Sequence, residues 1–180
     1  MPRQIANRIS LTRALCAWAV ALGLGPAVAQ DATPVTLKQA TDVFARTCLA
    51  TLPKFEGFDA AAKRAGLTPV QGKDGLTPYQ IPGKTAVVVM GKQGPAKVCA
   101  IGFGLDASPD AVGQAFQRAT QAKTGAFVKS YSTSRNEFAL KMQSEGLLIY
   151  QTGKRRGLQR HNIFATIPVT SSDLRYYLRN

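Results

Sequence analysis

Leu37, Ala40, Phe44, Cys48 and Thr51 recur at three- and four-residue intervals until Pro53 ends the run. This spacing predicts an amphipathic helix whose inward stripe carries Phe44 and Cys48 together. Thr36 and Gln39 stand where a capping box places its two side chains, which fixes the expected start. Beyond the Pro53-Lys54-Phe55 break, residues 59–65 are short and alanine-rich, and Gly66 is placed to end them as a left-handed cap. A second, shorter helix is predicted there.

From Gly72 onward the period shortens. Residues 79–81, 85–90 and 98–103 are β-branched or apolar runs separated by Pro82-Gly83 and by residues 91–95, the pattern of a strand meander. Ser108-Pro109-Asp110 then supplies a cap, a proline at the first helical position and an acid in the first turn. Val112, Ala115, Phe116 and Ala119 follow on one stripe, and Gly125 closes the helix. Residues 127–131, 137–142, 147–150 and 159–169 form a second set of strands, with turns over 132–136, 144–146 and 153–157. Ser171-Ser172-Asp173 is placed to cap a last half-turn through Tyr176. The order predicts an α+β single domain, an antiparallel sheet packed against two or three helices.

The first 29 residues follow a different logic. Arg3, Arg8 and Arg13 form a basic start, residues 14–24 are apolar, and Ala27-Val28-Ala29 precedes Gln30 as a small-residue cleavage site. This reads as a signal peptide cleaved after Ala29, leaving residues 30–180 as the domain in the periplasm or secreted. An apolar run of 11 residues is too short for the roughly 20 that a membrane-spanning helix needs. Nothing later in the chain is long or apolar enough either, so no transmembrane segment is expected in the mature chain. Cys16 is a poor lipid-anchor cysteine, because Leu15 stands where such sites want a small residue. The two cysteines that survive, Cys48 and Cys99, are expected to form a disulfide in an exported chain, with two buried free thiols as the alternative.

Signatures of known chemistry fail on inspection. Gly83-Lys84-Thr85 lacks the earlier glycine of a P-loop, has Pro78 in its place, and leads into a strand. Gly102-x-Gly104-x-x-Ala107 lacks the ribose-binding acid of a dinucleotide site. Lys123-Thr124-Gly125 has no Ser-x-x-Lys to supply a nucleophile. The run around Ala126-Phe127-Val128 has Gly125 and Ser130 where an RNA-binding strand needs aromatics, and no nucleic acid is expected as a partner. His161, the single histidine, has no nucleophile motif beside it and alternates with Ile163 and Ala165 as a strand residue would. No catalytic residue, metal ligand or cofactor is assigned.

Charge is the more informative feature because it is uneven. The chain carries 23 Lys+Arg against 10 Asp+Glu, a net +13. Without the leader's three arginines this becomes +10, and +8 of it lies after Asp110. Lys154, Arg155, Arg156, Arg160 and His161 crowd a predicted hairpin with Tyr150 at its base. Arg175 and Tyr176 lie near the chain's end. Arginine with tyrosine is a mixture enriched at binding hot spots. The plain alternative is a solvated surface that only keeps the protein soluble.

Phe44-x-x-x-Cys48, Pro53-x-Phe55, Ala65-Gly66 and Cys99 ahead of Gly102 together resemble small exported proteobacterial proteins of uncharacterised function, over about a third of the chain. The resemblance implies export and the disulfide, and no activity. The leading expectation is therefore a non-enzymatic exported protein that binds an anionic envelope component or an acidic protein through the hairpin. The alternatives are a small hydrolase using His161 and an accessory envelope protein without a ligand. Mass analysis of the exported chain should find it starting at Gln30 and two hydrogens lighter than its reduced form; a mass unchanged by reduction would remove the bridge.

Overall fold

The computed structural model describes residues 32–73, 75–93, 96–131, 136–144, 146–155 and 158–167. The leader and the half-turn ending at Tyr176 lie outside them. Thr36 opens helix α1 (Leu37–Arg46) with the full capping box: its hydroxyl accepts from the Gln39 N–H at 3.1 Å, and the Gln39 side chain accepts from the Thr36 N–H at 3.0 Å. The predicted run to Thr51 is not one helix. It breaks after Arg46 and resumes as a 3-10 turn (Leu49–Thr51). The Thr47 hydroxyl donates to the Val43 carbonyl at 2.7 Å and Thr51 to the Thr47 carbonyl at 2.8 Å. Such back-bonding competes with the helical ladder. Leu52, held extended ahead of the cis Pro53, stops the chain there.

Helix α2 (Phe58–Arg64) is followed by Gly66 at φ +77°, the left-handed cap expected from sequence. In the intervening turn Phe55 also adopts a positive φ of 56°, unfavourable for a side chain. Burial of its ring against the core offsets that cost. Helix α3 (Pro109–Thr124) starts at Ser108, whose hydroxyl accepts from the Ala111 N–H at 3.2 Å, and ends at Gly125.

Among the described residues eight strands make one antiparallel sheet: β1 (Thr68–Pro69), β2 (Leu76–Gln80), β3 (Val87–Gln93), β4 (Ala96–Gly104), β5 (Lys129–Tyr131), β6 (Phe138–Lys141), β7 (Leu147–Arg155) and β8 (Leu158–Ile167), in the spatial order β1-β2-β3-β4-β8-β7-β6-β5. Each half is a meander. Helix α3 links them, and β8 returns beside β4 to join the two into one sheet. The turn predicted over 153–157 is shorter than expected. Gly153, Lys154 and Arg155 continue β7, because Arg160, Gln159 and Leu158 stand opposite to complete the ladder. The fold is α+β, as predicted, with no helix among the described residues long and apolar enough to cross a membrane.

One sheet face carries the main core. Cys99, Ile101 and Phe103 of β4, His161, Ile163 and Ala165 of β8, and Leu148 and Tyr150 of β7 are buried there with Phe44 of α1 and Val112 and Phe116 of α3. Phe44 meets Phe116 edge-on at 5.4 Å, and Phe116 stacks on Phe103 at 5.9 Å. Each such ring stabilises the fold by about 1.5–3 kcal/mol through burial alone. On the opposite face Ala139, Leu147 and Ile149 form a smaller buried cluster with Tyr131 and Phe164 packed against it.

Cys48 and Cys99 are joined by a disulfide that ties the end of α1 to the middle of β4. The two cysteines are 51 positions apart; closing a loop of that length stabilises the fold by about 4 kcal/mol in the chain-entropy description. A Cys48→Ser, Cys99→Ser protein should lose stability of that order, measured by denaturant unfolding. A loss below about 1 kcal/mol would show that helix packing alone holds α1 on the sheet.

Candidate functional site

The hairpin residues divide sharply once folded. Lys154 is exposed and Arg160 half-buried near the tip of the β7–β8 ribbon. Leu158 beside them is 65% exposed, an unusual placement for a leucine. Arg155 is placed by its backbone alone, while Arg156, Arg175 and Tyr176 lie outside the described residues. Tyr150 and His161 are not on this surface at all. Both have 0% exposure, because alternation along β7 and β8 turns them to the core face beneath α3. An anion at the ribbon tip does not reach either ring.

His161 is held on every side. Its Nδ1 lies 2.7 Å from the Tyr150 hydroxyl and its Nε2 lies 3.0 Å from the Leu105 carbonyl. A carbonyl can only accept, so Nε2 carries the proton and the Tyr150 O–H donates to Nδ1. Phe103 stacks on the imidazole at 5.3 Å and Tyr150 at 6.0 Å. Both nitrogens are therefore engaged, and a hydrolase using His161 would have to open one of these two contacts.

A concavity of about 210 Å³ lies next to this pair, lined by Asp110, Gln114 and Gln117 of α3 with Glu137, Phe138 and Tyr150. It contains acids, but Tyr150 separates it from His161, which does not line it. Burial, then the charges of Glu137 and Asp110, push the Tyr150 phenol well above its usual range, so it stays protonated. Tyr79 is likewise raised to about 12, first by burial and then by its hydrogen bond to and the charge of Asp59, 2.5 Å away. Among the described residues no group of three His, Cys, Asp or Glu is placed to hold a metal ion.

A second concavity, of about 370 Å³, lies where the helices end, bounded by α1, the 3-10 turn, α2 and the last turn of α3. Arg46, Arg64 and Lys123 line it. None of the three was singled out from sequence, since each is an ordinary last-turn cation on its own helix. Only packing brings the three helix ends together.

His161→Ala should cost about 2–4 kcal/mol by leaving a cavity and an unpaired phenol. Tyr150→Phe, which orphans Nδ1, should cost about 1–3 kcal/mol in the same unfolding measurement. A loss below about 0.5 kcal/mol in both would show that the pair is not structural. Comparison of the chain with protein families, with curated proteins and with solved structures found no match.

Proposed function

We propose that this chain is an exported, non-enzymatic binding protein that captures an anionic envelope component or an acidic protein through the β7–β8 ribbon. An excess of exposed positive charge carries this reading. Among the described residues twelve lysines and arginines are exposed against five aspartates and glutamates. A surface of this kind draws anions over roughly a Debye length, about 8–10 Å at physiological salt.

The ribbon tip adds contact chemistry to that field. Exposed Lys154 and Leu158 flank Arg155 and Arg156 in sequence, giving the partner apolar area as well as charge. Export is supported by the leader pattern and by the Cys48–Cys99 bridge, since disulfides persist in oxidising compartments.

An Arg155→Glu, Arg156→Glu protein should lose at least ten-fold in retention on an anionic matrix or on envelope fractions at low salt, with unchanged thermal stability. Retention equal to that of the parent chain would leave the ribbon as solvated surface. Retention that does not fall when salt is raised to 0.5 M would show that charge is not what binds.

A further inference from the structure

We infer that the hollow at the helix ends is a binding site for a single-chain anionic amphiphile, a carboxylate or phosphate head on a short apolar body. Its floor is made of Ala45, Ala50, Ala61 and Ala65, contributed by α1, the 3-10 turn, α2 and the residue that caps α2. A hollow exists because α1, the 3-10 turn and α2 with its cap present methyls where longer side chains would fill the space. At about 370 Å³ it falls at the lower end of small-molecule sites. Arg46, Arg64 and Lys123 edge it, and no acidic side chain lines it.

Cations in the last turn of a helix are ordinarily explained by the negative end of the helix dipole, about half a charge at each terminus. Three termini therefore offset only about half of the three cations, leaving about +1.5 for a ligand. The carboxylate nearest to Arg46 along its helix, Asp42, is already engaged by Lys38. Arg46 spends its Nε–H on the Asp42 carbonyl at 3.3 Å, which steadies the side chain and leaves the rest of the fork available. Neither Arg64 nor Lys123 has a carboxylate partner among the described residues. An apolar floor edged by uncompensated cations complements a tail with an anionic head. The concave shape, bounded by three helix ends, suits a small molecule better than a bilayer surface.

This site does not use the β7–β8 ribbon, so its test is independent of the ribbon's. Protein carrying ¹³C-labelled alanine methyls is titrated with decanoate below its micelle concentration, with acetate, with decyltrimethylammonium, and with anionic phosphatidylglycerol vesicles. Decanoate should shift the methyls of Ala45, Ala50, Ala61 and Ala65 saturably. Acetate should bind at least ten-fold more weakly and the ammonium should leave these methyls unmoved. Arg64→Glu with Lys123→Glu should weaken decanoate at least ten-fold, and Ala50→Leu, at an exposed position, should block it while keeping every charge. The Arg155→Glu, Arg156→Glu protein should bind it as the parent does. Equal binding of the ammonium, equal binding of acetate, the absence of a saturable shift, or binding of vesicles without binding of decanoate would each overturn the assignment.

Discussion

Placing an imidazole in a core is unfavourable unless both nitrogens find partners, and the packing of the sheet against α3 is arranged around meeting that condition for His161. The acceptor for Nε2 is the Leu105 carbonyl, in the link between β4 and α3. The donor to Nδ1 is Tyr150, one strand away. These contacts fix where the chain leaves β4, how β7 registers against β8, and which way the tyrosine points. Phe103 and Phe138 then pack on the outer faces of the pair, and Phe116 and Phe44 extend the row of rings to α1. A polar thread thus runs through an aromatic row, and the two are mutually dependent. The hydrogen bonds specify one arrangement of rings, while the rings exclude the water that would otherwise compete for those bonds.

Much of the fold could be read from the chain because local signals agreed with the tertiary result. The capping box at Thr36, the Ser108-Pro109-Asp110 start of α3, the glycine ends and the alternation along β4 and β8 each act within a few residues. The break after Arg46 was harder to see, since threonine back-bonding leaves the hydrophobic spacing intact. Strand β1 has only two residues, one of them Pro69, and carries no periodicity to detect. Tyr150 and His161 show the limit most clearly. Their residue types suggested a surface rich in binding groups, whereas the side of the strand on which they fall is decided by register across the sheet. The hollow was invisible for a related reason: three last-turn cations and four alanines from separate elements mean nothing until the helices meet.

Charge and shape consequently diverge across the molecule. The β7–β8 ribbon exposes Lys154 and Leu158, and the hollow by Tyr150 is edged by acids. At the helix ends a cationic rim and an apolar lining coincide. A uniform excess of lysine and arginine would give long-range attraction and no selectivity. Its uneven distribution gives surfaces that would differ in how strongly salt weakens them, because a partly desolvated charge is screened less than a solvated one.

The bridge from Cys48 to Cys99 links a helix near the start of the domain to a strand at its middle, and its bond chemistry belongs to an oxidising environment. Where the surroundings are reducing, the same two sulfurs stay as thiols and the chain forgoes about 4 kcal/mol of stabilisation. The redox state around the protein therefore sets how firmly the end of α1 is held to the sheet. One covalent cross-link makes stability a property of the compartment as well as of the sequence.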